Sequence, residues 1–189
     1  AEKHTQIATN LADNVYDAPL YVKSESGDDF MNADVFGVLN SPYELVQKEL
    51  RQPESWCRLS VLHPNVKAAV SENGNAETST VTYDVGRKFY ERPERANKIT
   101  YRFTGSKPDR RHFSVELFSK EGPHGTRNHR VCFEALPLSE EKTFIHLAYS
   151  CRYGFIARSA LAAYLATLGR FKVGFSVVDR NASGEPVFV

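Results

Sequence analysis

Six short alternating segments followed by one long apolar segment constrain the fold of this chain more than any other feature. Between about Val66 and Cys151, polar and apolar residues alternate, and clusters rich in Gly, Pro and Asn separate the segments. A period of two is typical of β-strands, and such clusters reverse the chain. Short connections imply antiparallel neighbours. The pattern therefore predicts a meander of six strands, and the almost wholly apolar stretch from Phe155 to Leu168 predicts a long helix after it.

A strand and two short helices are predicted before the meander. Residues 33–39 form a short apolar segment that is typical of a strand. Ser41 is the expected N-cap of the next helix, with Pro42 at the first helical position and Glu44 completing a capping box. A second short helix is expected to carry Trp56.

These elements predict an α+β fold with a curved antiparallel sheet of about seven strands, two short helices after the first strand, and a long helix across the sheet. The 189 residues fit one domain. We expect residues 1–32 to form a helical and extended lead-in and residues 33–189 to form the domain. Because residues 184–189 look like the middle of a strand, we expect the natural protein to continue beyond them. The chain begins with alanine instead of methionine, so we expect a periplasmic or secreted protein, with the cytoplasm as the alternative.

Charge and composition disfavour two classes of partner. Lys and Arg together number 24 and Asp and Glu 23, so no net field attracts nucleic acid or an anionic membrane. No segment approaches the ~20 apolar residues that a membrane-spanning helix needs. The three cysteines, Cys57, Cys132 and Cys151, are spaced too irregularly for a disulfide framework, and we expect buried free thiols.

Alternation assigns the side chains of the meander to two faces. Aromatic residues such as Tyr101 and Phe103 occupy odd positions, whereas charged residues such as Arg102 and Glu116 occupy even positions. Arginines interleaved with aromatic residues on a sheet also occur in proteins that bind single-stranded RNA. Here the two residue types point to opposite sides, so we predict a solvated charged face and no nucleic-acid partner.

The apolar face is predicted to enclose a cavity beneath the long helix. Three tyrosines on this face need partners for their hydroxyl groups, which a wet or ligand-filled cavity provides more readily than a dry core. The helix is also rich in alanine, which fills little volume. The alternative is that the face packs solidly against the helix. The predicted ligand-binding residues are Tyr83, Val85, Tyr101, Phe103, Phe113, Val115, Leu117, Val131, Phe133, Leu147, Tyr149, Ile156, Ala160 and Tyr164.

No catalytic or cofactor motif stands out in the sequence. A nucleophile elbow, a P-loop, a dinucleotide fingerprint and a zinc-protease helix are all absent. His124, His129 and Cys132 lie close together, but their spacing matches no standard zinc site, so we predict no metal and no cofactor. If the chain is an enzyme, the candidate acid–base groups are Tyr83, Tyr101, Arg102 and His146. Strict alternation turns His146 away from the cavity.

Three local motifs accompany this order of elements: Ser41-Pro42-Tyr43-Glu44-Leu45-Val46, Trp56-Cys57, and Leu62-His63-Pro64-Asn65-Val66-Lys67. Together they resemble the helix-grip fold of the START-domain and birch-pollen-allergen superfamily. The motifs are most similar to those of uncharacterised bacterial START-like lipid-binding proteins, which often follow a signal peptide.

The resemblance implies that the chain binds, and transports, a hydrophobic small molecule (a lipid, a sterol or an aromatic compound) in a central cavity. The alternative within the superfamily is a cavity enzyme of the polyketide cyclase or hydrolase type. A third class, a module that only contacts other proteins, requires a filled interior and an exposed apolar patch. The expected partners are the hydrophobic ligand and, transiently, a membrane. We expect the helix at 155–168 to act as a mobile lid between Gly154 and Gly169.

Overall fold

Eight strands form one curved antiparallel sheet, in the order β1-β2-β8-β7-β6-β5-β4-β3. The computed structural model describes residues 5–14, 16–74, 79–86, 90, 92–107, 109–154, 158–159, 177–180 and 186–188. The strands are β1 (Leu20–Ser26), β2 (Phe30–Leu39), β3 (Val66–Glu72), β4 (Thr80–Val85), β5 (Asn97–Gly105), β6 (Phe113–Glu121), β7 (Arg127–Pro137) and β8 (Thr143–Arg152). Two further strands, β9 (Val177–Arg180) and β10 (Pro186–Phe188), pair only with each other.

The six predicted strands of the meander are confirmed as β3 to β8. Each pairs with the next along the chain, and β2 closes the other side by pairing with β8 over ten residues, from Phe30↔Arg152 to Leu39↔Thr143. The sheet has one strand more than predicted, because β1 lies within the expected lead-in and pairs along β2. Its second half, from Lys23 to Ser26, is exposed, so the sequence there lacks the apolar alternation of an inner strand.

Before the meander, three short helices lie wholly within the described residues: α1 (Ala8–Ala12), α2 (Tyr43–Leu50) and α3 (Pro53–Leu59). A single 3-10 turn, Ser60–Leu62, follows α3. The predicted Ser41 cap is wrong, because α2 begins at Tyr43 and no side chain caps it. Ser41 instead offers its carbonyl oxygen to the Thr143 hydroxyl at 2.8 Å, which ties the start of α2 to β8.

The sheet has two distinct faces, as the alternation predicted. We call the side that carries Tyr101, Phe113, Phe133 and Leu147 the aromatic face; α2 and α3 pack against it. The side that carries Arg102, Glu116, Glu134 and His146 is the charged face. There, Ile7 and Leu11 from the α1 region pack with Phe36 and Phe144 in a second, smaller core.

The predicted long helix lies outside the described residues, apart from Arg158 and Ser159, which are helical. The Arg158 amide donates to the carbonyl oxygen of Gly154 at 3.0 Å, and its guanidinium pairs with Asp28 at 2.7 Å. The lid prediction and the site residues Ile156, Ala160 and Tyr164 therefore also lie outside the described part of the chain. Within that part, no helix has the length and apolarity to cross a membrane.

Candidate functional site

Eleven of the fourteen predicted ligand-binding residues lie within the described part of the chain, and all eleven lie on the aromatic face. Six are buried, from Leu117 and Phe113 at 0% exposure to Tyr101 at 6%. The other five remain half-buried: Tyr83, Val85, Val131, Leu147 and Tyr149. The alternation of the sequence thus brought these side chains together on one surface.

Helices α2 and α3 cover one part of this surface. The ring of Tyr43 lies 5.7 Å from that of Phe113, and the ring of Trp56 lies 6.0 Å from that of Phe133. Trp56 is 9% exposed and donates its indole N–H to the carbonyl oxygen of Leu50 at 2.9 Å. These contacts make Phe113 and Phe133 part of the core between sheet and helices.

A polar group that the sequence analysis did not include in the site lies on the same face. The imidazole of His129 is only 6% exposed; its Nδ1 lies 2.9 Å from the Tyr149 hydroxyl and its Nε2 lies 2.8 Å from Oγ1 of Thr126. The Thr126 hydroxyl donates its hydrogen to the carbonyl oxygen of Pro123 at 2.6 Å. We call these three residues, His129, Tyr149 and Thr126, the polar triad.

The directions of these hydrogen bonds fix the tautomer of His129. Because the single hydrogen of the Thr126 hydroxyl is used on Pro123, Nε2 of His129 must carry a hydrogen and donate it to Thr126. Burial lowers the pKa of His129, so the ring is neutral at pH 7 and its Nδ1 is an acceptor. The Tyr149 hydroxyl therefore donates to Nδ1.

The tyrosines on the aromatic face are uncharged. Burial raises the pKa of Tyr149, and a side-chain hydrogen bond with Cys151 and the charges of Cys151 and Tyr101 raise it further. Burial, with a smaller contribution from Cys151, raises the pKa of Tyr101 to about 12. Burial also raises the pKa of Tyr83, whose hydroxyl donates to the carbonyl oxygen of Trp56 at 3.3 Å. The face thus offers neutral hydroxyl groups among apolar side chains.

Strand parity explains why His129 joins this site. It lies on β7 two residues before Val131 and four before Phe133, so all three point to the same side. From the sequence, His129 was considered only as a metal ligand beside His124 and Cys132. The two-residue alternation along β7, followed from Phe133 towards the N-terminus, could have placed His129 on the aromatic face.

The remaining histidine candidate, His146, lies on the charged face, as alternation predicted. Its Nε2 lies 2.8 Å from Asp34 and its Nδ1 lies 3.1 Å from Glu134, while its ring stacks on Phe36 at 4.3 Å. The group borders a surface pocket of about 570 Å³ on that side. Arg102, also proposed as an acid–base candidate, is exposed and lies 5.9 Å above the Phe118 ring. Neither side chain reaches the aromatic face.

Cysteines and metal ligands contribute little to the site. All three cysteines are free; Cys151 is buried, whereas Cys57 and Cys132 are half-buried. Cys132 pairs in register with Ala148, so it lies on the opposite face from Cys151. Among the residues that the structure describes, no three His, Cys, Asp or Glu side chains are grouped to hold a metal ion.

Comparison with known proteins shows similarity at the level of the fold. No protein-family model and no curated protein matches the sequence. The Zhui aromatase/cyclase from Streptomyces sp. R1128 superposes with a TM-score of 0.50 at 16% identity, over 76% of this chain and 88% of that one. A norcoclaurine synthase mutant from Thalictrum flavum superposes with a TM-score of 0.51 at 9% identity, over 78% and 91%. The STAR-related lipid transfer protein from Xanthomonas axonopodis is 14% identical with a TM-score of 0.46, over 71% and 75%.

At these identities the likeness concerns the fold alone. The superpositions on the first two structures extend over most of the length of each of them, 88% and 91%. The chain therefore has the helix-grip fold.

Proposed function

We propose that this chain binds a hydrophobic small molecule, a lipid, sterol or aromatic compound, on its aromatic face, and that it transports this ligand. The observation that carries the proposal is the set of half-buried side chains outside the contacts described above for α2 and α3: Val131, Leu147 and Tyr149. Burying such side chains against a ligand contributes roughly 25 cal/mol per Å² of apolar surface. The fold is also one in which a cavity is common.

The charge distribution favours an uncharged ligand. In the middle of β5 to β8, the charged residues Arg102, Glu116, Arg130 and Glu134 belong to the charged face, where Arg130 pairs with Glu116. Among the described residues in the middle of these strands, an ionic ligand group on the aromatic face would meet neutral hydroxyl, imidazole and thiol groups, and burying an unpaired charge is costly.

Native mass spectrometry of the protein purified from cells, followed by organic extraction, tests this proposal. We expect one hydrophobic molecule per chain, or, in the emptied protein, saturable binding of a fluorescent fatty acid with one site per chain. Failure to retain any such molecule, together with failure to bind fatty acid, sterol and aromatic probes, would contradict the proposal.

A cavity enzyme of the polyketide cyclase or hydrolase type is the second candidate. The observation in its favour is the polar triad, which places a histidine beside a tyrosine on the aromatic face. However, the basic nitrogen of His129 already accepts the Tyr149 hydrogen, and the raised pKa of Tyr149 opposes the formation of a phenolate. These two facts favour binding. Incubating the protein with its extracted ligand distinguishes the two functions, because an enzyme changes the mass of the ligand and a binding protein returns it unchanged.

Transient membrane contact is proposed at the 3-10 turn Ser60–Leu62. Val61 and Leu62 are each 78% exposed, and Leu59 beside them is 44% exposed. A patch of this kind could also contact another protein. Flotation with phosphatidylcholine vesicles distinguishes a membrane from a protein partner. The double variant Val61→Ser, Leu62→Ser should float less than the wild type. The control Leu45→Ser changes an exposed leucine on α2 and should float as the wild type does. If neither variant changes flotation, the membrane proposal fails.

A further inference from the structure

We propose that the polar triad selects ligands with a hydrogen-bond donor, an alcohol or phenol, over ligands of the same shape that carry only a carbonyl acceptor. The inference rests on the proposed function, because it concerns how a ligand on the aromatic face is oriented. It goes beyond hydrophobic binding by assigning a polar contact and its direction.

The hydrogen bonds of the polar triad run in one direction. Thr126 donates to Pro123, His129 donates from Nε2 to Thr126, and Tyr149 donates to Nδ1 of His129. The Tyr149 hydroxyl has spent its only hydrogen on His129, so its oxygen can only accept further hydrogen bonds, from the neighbouring Cys151 thiol or from a ligand. Tyr149 is the half-buried member at this end of the chain of hydrogen bonds, whereas His129 at its centre is buried.

The turn between β6 and β7 holds the triad in place. The Gly122 amide donates to the carbonyl oxygen of Thr126 at 2.9 Å, and the Ser119 hydroxyl beneath it donates to the carbonyl oxygen of Glu121 at 2.8 Å. A Cβ at Gly122 would lie 2.7 Å from Cδ2 of His129, so the imidazole ring is closely confined.

Because the Tyr149 oxygen can accept a hydrogen bond but cannot donate one, it discriminates between alcohol and ketone ligands. An alcohol donates its hydrogen to Tyr149, whereas a ketone places its oxygen lone pairs against those of the phenol. A buried polar group without a partner is costly, so the ketone should bind roughly tenfold more weakly. The hydroxyl of Tyr101 has no hydrogen bond among the described residues and can either donate or accept, so it does not set the preference.

The test compares decan-2-ol with decan-2-one, two probes of equal length, by calorimetric titration of the emptied protein. We expect the wild type to bind the alcohol about tenfold more tightly than the ketone. In Tyr149→Phe the ratio should fall to near one through weaker alcohol binding. In His129→Leu the Tyr149 hydroxyl is free to rotate and donate, so the ketone should gain affinity. The matched control is Tyr153→Phe, whose hydroxyl donates to the carbonyl oxygen of Gly27 at 2.8 Å outside the proposed site, and it should keep the wild-type ratio.

Each outcome supports or overturns one of the two proposals. Equal affinities in the wild type, a preference for the ketone, or a preserved ratio in Tyr149→Phe would overturn the selectivity while leaving hydrophobic binding intact. Failure of both probes to bind the wild type would overturn the proposed binding function itself. Because Tyr149→Phe removes one oxygen from a half-buried residue, it tests the inference even if His129→Leu does not fold.

Discussion

Gly122 lies where the turn between β6 and β7 passes directly over His129. Its φ is −143°, so it is not needed for a left-handed conformation. A Cβ there would instead lie 2.7 Å from Cδ2 of His129 and 2.8 Å from Oγ1 of Thr126. We expect Gly122→Ala to lower the free energy of unfolding by about 1–3 kcal/mol through overpacking.

Urea denaturation measures this effect, and the chain offers a matched control. Nothing lies within 4 Å of a Cβ built at Gly105, which is also at the end of a strand. Gly105→Ala should therefore leave the free energy of unfolding within about 0.5 kcal/mol of wild type. Equal effects of the two substitutions would show that the turn yields easily and does not hold the imidazole.

The burial of His129 gives stability a specific pH dependence. Its folded pKa lies below the value of about 6.5 expected in the unfolded chain. As the pH falls from about 6.5 towards the lowered pKa, the unfolded chain takes up a proton that the folded chain does not, so the free energy of unfolding decreases. Above about 6.5 both states are neutral and this contribution is constant.

Comparing wild type with His129→Gln isolates this contribution. We expect the loss of stability between about pH 7.5 and pH 5 to be smaller in the variant, because the buried titrating group is gone. Chemical denaturation at several pH values provides the measurement. An unchanged loss in the variant would mean that His129 titrates in the folded protein as it does in the unfolded chain.

At the scale of single residues, the sequence predicted apolar positions well and polar ones poorly. Parity alone placed Phe103, Leu117 and Leu147 on the correct face, because burial of an apolar side chain depends mainly on the strand period. The partners of Tyr149 and His129 could not be predicted in this way. They depend on the turn at Gly122 to Thr126 and on the start of β7, where His124 and Asn128 respectively adopt positive φ values of 58° and 52°.

Among the helices, α3 is held against the sheet and α2 by Trp56. The indole contacts Phe133 and donates to the last residue of α2, and the backbone carbonyl oxygen of Trp56 accepts a hydrogen bond from the Tyr83 hydroxyl. We expect Trp56→Ala to cost roughly 3–5 kcal/mol of unfolding free energy, as for other core aromatic residues. Leu59→Ala, on the exposed side of the same helix, should cost far less. Thermal unfolding of both variants measures the difference. A Trp56→Ala variant with an unchanged melting temperature but without ligand binding would assign Trp56 to the site.

At the scale of elements, the inner strands were predictable and the edges were not. β5, β6 and β7 are covered on the aromatic face, so their alternation is clear in the sequence. Edge strand β1 has one neighbour and an exposed half, so little apolar pattern marks it. The start of α2 was misplaced because the sequence suggests a local cap, whereas Ser41 is tied to β8 by a contact more than a hundred residues away along the chain.

In the molecule as a whole, the two faces of the sheet carry different kinds of side chain. The aromatic face holds apolar side chains with the neutral polar triad, whereas the charged face holds the network that joins His112, Glu134, His146 and Asp34. The fold was predictable because the order of elements and the parity of the strands agree. The position of the ligand was predictable only as a face, since the sequence does not show which rings α2 and α3 cover.

Adjacent residues on β8 provide the most direct test of ligand binding on the aromatic face. Leu147 points to that face and Ala148 to the other, and both are half-buried. Titration with a fluorescent fatty acid compares Leu147→Gln with Ala148→Gln, after circular dichroism has confirmed that both variants fold. We expect Leu147→Gln to weaken binding about tenfold, because it replaces apolar contact with an amide, and Ala148→Gln to match the wild type. Equal weakening in both variants, or weakening only in Ala148→Gln, would contradict binding on the aromatic face.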